Sequence, residues 1–171
     1  MRKVTVEKVH AMIRKFWQLQ WNDRLILIEA ILMLALGAVV VATLPFRWAG
    51  HLSALRIRRV DPSSESRALA VKRVRWAVLA SARRVPWRAL CFEQGIAAQL
   101  MLRRRGVASV LFFGAALSDK KALAAHVWVR NGDLDVVGGE SASEFAVLAT
   151  FPPALFDRSG RDYDHRARTR L

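Results

Sequence analysis

Cysteine is almost absent: Cys91 is the single one in 171 residues. That excludes an internal disulfide framework and suits a reducing compartment. Cysteine/histidine spacings of the zinc type are missing, so neither a metal nor another cofactor is expected. There is no internal repeat, which excludes a solenoid, and no low-complexity tract. Acidic residues are scarce, 14 against 28 Lys and Arg, leaving a formal charge of +14. Such a balance favours acidic partners. The basic residues are scattered, however, among Arg83-Arg84, Arg103-Arg104-Arg105 and the tail 166–170, and no nucleic-acid-binding motif organises them. Specific nucleic-acid binding is therefore not expected, and solvated faces account for the charge. A secretory signal is also unexpected, because the long apolar run is displaced from the N-terminus and lacks a clear small-residue cleavage site.

What is present fits one domain with a helical appendage, and a hydrophobic fraction of 53% suffices for a core. Residues 3–20 read as a basic amphipathic helix. Residues 25–46 are almost wholly apolar, interrupted by Glu29 and closed by Pro45. That run is close to the length a membrane span needs, but Glu29 is costly in lipid. A buried or partner-covered helix and a membrane anchor both remain open. Ser63 or Ser64 caps a helix over 67–82, whose apolar face is Ala68, Val71, Val74, Val78 and Leu79, widened by Trp76. A loop over 83–87 contains Pro86. A helix follows over 92–105 with Gly106 as its C-cap. Strands are expected over 107–113, 124–130 and 133–137, with a loop over 114–121 and a short edge strand over 145–150. The tail from Asp157 is charged.

The chemistry-bearing residues fall in a telling order. Cys91 opens a helix, His126 lies on a strand, and acids follow on the next strand. That is the chain order of papain-like and transglutaminase-like active sites. A free thiol is mostly protonated at neutral pH, and an imidazole and a helix N-terminus both favour its thiolate. An oxyanion hole would use the Cys91 N–H and a second donor that the sequence does not identify. Asn131-Gly132 is the preferred pair for a two-residue hairpin turn. With that turn, Arg130 faces Asp133, Val129 faces Leu134, Trp128 faces Asp135 and His126 faces Val137. Asp135 becomes the diagonal neighbour of His126, about 7–8 Å away between backbone positions. Asp135 is thus the expected orienting acid, with Asp133 the fallback. Spacing alone leaves a structural cysteine and histidine open. Trp128 reads as core, and His10, His51 and His165 as surface residues.

Trp87-Arg88-Ala89-Leu90-Cys91, with a helix ending Leu100-Met101-Leu102-Arg103-Arg104-Arg105-Gly106-Val107, resembles the nucleophile region of lasso peptide biosynthesis proteins of the leader-peptidase type. These belong to the transglutaminase-like cysteine protease superfamily. Leu111-Phe112-Phe113-Gly114, Ala125-His126-Val127-Trp128-Val129 and Val136-Val137-Gly138-Gly139-Glu140 continue the likeness. The stretch from Asp23-Arg24-Leu25 to Leu44-Pro45-Phe46 resembles the family's apolar leading helix, so the similarity spans roughly residues 20–150. The resemblance implies an α+β fold, with an N-terminal helical segment (1–60) and a transglutaminase/papain-like core that packs a Cys-bearing helix on a small antiparallel sheet (61–156); composition adds a charged, mobile tail (157–171). It implies a leader peptidase with Cys91 as nucleophile and His126 as acid/base. It also implies three partners: a lasso precursor peptide, an ATP-dependent cyclase and a separate leader-recognition protein, since the segment before Asp61 is too short and helical to hold a fused recognition module. The expected location is cytoplasmic, with membrane association through residues 25–46 as the open alternative. The family often places its aspartate where this chain has Val137-Gly138, a departure that bears on the third member of the site.

Overall fold

The computed structural model describes residues 14, 16–43, 62–117 and 123–152. Helix α1 (Trp21–Thr43) is apolar on every side, yet its two sides have different surroundings. Ile26, Ala30, Leu34, Gly37 and Val40 recur at helical spacing and are buried. Trp21, Leu25, Ile28, Leu32, Leu36 and Val39 line the opposite side and are exposed. Glu29, the charge that looked costly, points inward and pairs with Arg105 at 2.5 Å and Arg104 at 3.6 Å. At Gly37 an added Cβ would lie 3.0 Å from the Glu93 carbonyl oxygen, so the missing side chain lets the two helices meet backbone to backbone. By length and composition α1 is able to cross a membrane. Its inner side nonetheless shares one hydrophobic core with the helices over 64–82 and 91–104 and with the sheet.

Helix α2 (Ser64–Ala82) starts at Ser63, whose hydroxyl accepts from the Ser66 N–H at 3.3 Å. It buries Val71, Val74, Ala77 and Val78. Trp76, expected to extend that apolar face, is exposed instead. It flanks Arg75, whose guanidinium donates to the Val136 carbonyl oxygen. Helix α3 (Cys91–Arg104) ends as the sequence suggests. Gly106 takes φ +73, its N–H reaches Arg103 O at 2.9 Å, and the Val107 N–H reaches Leu102 O at 3.0 Å. This paired closure needs a left-handed residue, and glycine supplies one without strain.

Four antiparallel strands follow: β1 (Val110–Leu117), β2 (Leu123–Asn131), β3 (Leu134–Val137) and β4 (Ala146–Phe151), in the order β3-β2-β1-β4. Between β3 and β4 runs a 3-10 turn, Gly139–Glu144, which the sequence reading did not contain. Strand β1 extends to Leu117, through residues expected to form a loop, because Gly114, Ala115 and Ala116 pair with His126, Ala125 and Ala124. Small residues with weak strand preference are held there by their neighbours on both sides. Gly95 of α3 lies on the sheet, where a Cβ would fall 2.7 Å from Val127 Cγ1. The basic helix expected over 3–20 and the tail from Asp157 lie largely or wholly outside the described residues.

The β2–β3 hairpin corrects the expected register. Asn131 pairs with Leu134, so Gly132 and Asp133 form the turn rather than Asn131 and Gly132. Gly132 takes the first central position at φ +54. Asn131 stays in β2, its side-chain amide donating to Ala108 O at 2.6 Å. Arg130 therefore faces Asp135, not Asp133, and Val129 faces Val137, not Leu134. Val136 is an extra residue between those pairs, a bulge that turns Val137 to the opposite face from the one expected.

Candidate active site

Cys91 is the first residue of α3, half-buried. The capping residue before it, Leu90, has an extended backbone and no side-chain hydrogen bond to offer the helix. The positive end of the α3 dipole lies at Cys91 and favours its thiolate. Gln94, one turn on, donates through Nε2 to Ala89 O at 2.8 Å. An amide nitrogen carries two donors, so the second N–H of Gln94 is left over.

His126 sits on β2 opposite Gly114. Its ring lies 5.0 Å from that of Phe145 and 6.0 Å from that of Trp128. Nε2 meets the Gly138 carbonyl oxygen at 2.8 Å and the Ser141 hydroxyl at 3.3 Å. Cys91 and His126 line one open pocket of about 240 Å³, together with Leu79, Gln94, Val137 and Glu140. Trp128, read as core, is indeed buried and stacks on Phe112 at 5.4 Å.

Asp135 is elsewhere engaged. Its carboxylate accepts from Arg130 Nε at 2.6 Å, which makes it the hairpin's ion-pair residue. The register above sets Asp135 opposite Arg130, the place expected for Asp133, and so removes the expected diagonal placement of Asp135 beside His126. The carboxylate lining the pocket is Glu140, which accepts from Arg75 at 2.6 Å. That hydrogen bond holds its carboxyl below the usual glutamate range; a backbone hydrogen bond and the charges of Arg75 and His126 act the same way, against partial desolvation. Arg75 also donates to Val136 O at 3.1 Å, so α2 grips the chain on both sides of Gly138.

Gln94, Gly138, Glu140 and Ser141 were not singled out as site residues from the sequence. Their one signal was the Gly138-Gly139 pair closing the β3 segment. Gly138 takes φ +73, and a Cβ there would fall 2.5 Å from Val127 O, so only glycine lets the turn lie against β2. His10, His51 and His165 lie outside the described residues. Among the described residues no group of three or more His, Cys, Asp and Glu side chains could hold a metal ion.

A helix-start thiol and a strand histidine opening on one pocket have a counterpart in known families. A family model for the transglutaminase-like superfamily matches residues 33–150. The chain belongs to that superfamily. No curated protein and no solved structure matches the chain. The transglutaminase-like superfamily includes cysteine peptidases, and the mixed architecture here, a Cys-bearing helix against a small antiparallel sheet, fits it. The matched region begins within α1 and runs to β4, so the transglutaminase-like core takes in the second half of the apolar helix.

Proposed function

We propose that this chain is a cysteine peptidase that removes the leader from a ribosomally synthesised lasso precursor peptide. The observation that carries the peptidase reading is the shared pocket of Cys91 and His126 within a transglutaminase-like core. The lasso substrate rests on the resemblance in the nucleophile and histidine segments. Cys91 Sγ attacks the scissile carbonyl carbon, its proton passing to His126. The tetrahedral oxyanion is met by the Cys91 N–H and by the free N–H of Gln94, both beside the pocket. Collapse breaks the C–N bond as His126 returns the proton to the leaving amine. Water then hydrolyses the thioester by the same route.

Three partners follow: the precursor as substrate, a separate leader-recognition protein, and an ATP-dependent cyclase acting on the freed N-terminus. The outer stripe of α1, from Trp21 to Val39, offers apolar surface on which the recognition protein docks, and the charge of +14 steers acidic segments toward the chain. Holding the leader beside the pocket raises its local concentration, to about millimolar for a short flexible tether. The proposed location is the cytoplasm. The same stripe favours a second reading, attachment of α1 to a membrane surface.

The test is cleavage of purified precursor with and without the recognition protein. Slow cleavage alone and a steep rise with the partner are expected. Full-speed cleavage unchanged by the partner overturns the split arrangement. No cleavage by either, with Cys91 unreactive toward a thiol-directed electrophile, marks a silent binding module. Sedimentation of the chain with vesicles whether or not the partner is present selects the membrane reading.

A further inference from the structure

We propose that the group orienting His126 is the main-chain carbonyl of Gly138, seconded by the Ser141 hydroxyl, and that no carboxylate holds the ring directly. The proposal rests on the peptidase reading for its catalytic meaning, but its geometry stands independently of it. Nε2 lies 2.8 Å from Gly138 O, a hydrogen-bonding distance, and a carbonyl oxygen only accepts. Nε2 therefore carries a hydrogen in this arrangement, and Ser141 Oγ at 3.3 Å accepts from the same N–H as a second, longer contact. That commits Nδ1 to the other task. Nδ1 takes the Cys91 proton as the Sγ–C bond forms and returns it to the amine as the C–N bond breaks. The Nε2 hydrogen stays in place throughout.

Several features hold the carbonyl where it is. Gly138 adopts φ +73 and closes against Val127 O and Trp128, a space no side chain can share. Ser141 follows in the 3-10 turn. Arg75 grips Val136 O on one side and Glu140 on the other. Asp135 is held by Arg130, and Glu140 by Arg75, so each carboxylate has a cationic partner of its own. Glu140 contributes its charge to the pocket without bonding the ring. Among the described residues, the charged and titratable groups at the His126 pocket are Cys91 from α3, Glu140 from the 3-10 turn and, paired with Glu140, Arg75 from α2.

The experiment uses the full chain, uniformly labelled with nitrogen-15, and reads the ring nitrogens by long-range proton–nitrogen correlation. The His126 signals are assigned by their loss in His126→Gln. Expected is hydrogen on Nε2, whose proton gives its own cross-peak, slowed in exchange by the carbonyl. Both features should persist in Asp135→Asn and Glu140→Gln, and the exchange should quicken in Ser141→Ala. Hydrogen on Nδ1 with none on Nε2, or an Nε2 proton lost in either carboxylate variant, overturns the proposal. Cleavage kinetics form a second arm. Losing a triad aspartate costs about 10⁴ in kcat, so Asp133→Asn and Asp135→Asn should each stay within about threefold of the parent, and a hundredfold loss in either overturns the proposal. Absence of cleavage in the parent defeats the peptidase reading alone, because the tautomer is still read from the spectrum.

Discussion

The two halves of the pocket are fixed by different physics. Cys91 is positioned by packing. Its helix lies against α1 through Gly37 and against the sheet through Gly95, and Ile96, Ala97, Ala98, Met101 and Leu102 are buried behind it. His126 is positioned by hydrogen bonds at a surface: the Gly138 carbonyl, the Ser141 hydroxyl, and an Arg75–Glu140 pair whose carboxylate side is 66% exposed. A packed helix resists displacement because its contacts are many and close-set. A polar anchor depends on a few directed bonds. The thiol side should therefore fail by unfolding when its packing is disturbed, whereas the histidine side should lose rate while the fold survives.

The largest effect expected is loss of the reacting groups. Cys91→Ala and His126→Ala should each abolish cleavage with unchanged circular dichroism and melting. Retained cleavage by a folded Cys91→Ala protein refutes the mechanism. Next comes Gln94→Ala, which removes the proposed second oxyanion donor. One such donor is worth about 10²–10³ in kcat, so steady-state kinetics should show a fall of that size with KM nearly constant. A rise in KM at constant kcat would assign Gln94 to substrate binding instead.

Packing of the thiol side is broken by Gly95→Val. Its Cβ falls 2.7 Å from Val127 Cγ1 and 3.3 Å from Leu111 Cδ1. Overpacking of a filled core costs about 1–3 kcal/mol. Urea denaturation should show that loss, and cleavage per folded molecule should fall along with it as α3 is pushed from the sheet. A variant that melts normally would mean that α3 and the sheet are less closely joined than the contrast requires.

The same contrast explains what could be read ahead of the structure. Helices α2 and α3, with Ser63 at one start and Gly106 at one end, follow from local signals: capping, apolar spacing and a left-handed glycine. The placement of Cys91 at a helix start and of His126 on a strand was legible for the same reason. The histidine anchor was not. Its register depended on which of two residues beside Gly132 completes the turn, and the bulge at Val136 has no local signature. Arg75 reaches Glu140 from a helix 65 positions earlier in the chain, a contact that only the assembled fold creates. Glu29 shows the same limit, since its arginine partners on and after α3 become visible only when the helices meet.

The smallest effect expected concerns the Arg75–Glu140 pair, and it sharpens the contrast because it lies at the exposed edge of the polar anchor. Glu140 has its pKa lowered chiefly by the Arg75 hydrogen bond. A group whose folded value lies below its unfolded one stabilises the fold above the unfolded value, about 4.3 for glutamate. That stabilisation is lost as the pH falls through the folded value. Solvent screening limits so exposed a pair to at most about 1 kcal/mol. Denaturation midpoints of the parent and Glu140→Gln should therefore differ slightly at neutral pH and converge below the folded value. Arg75→Ala should cost more at every pH, because it also strips the donor from Val136 O, a contact that no carboxylate titration switches off. Equal losses in the two variants, vanishing together in acid, would show that the ion pair rather than the main-chain grip steadies the turn at Gly138.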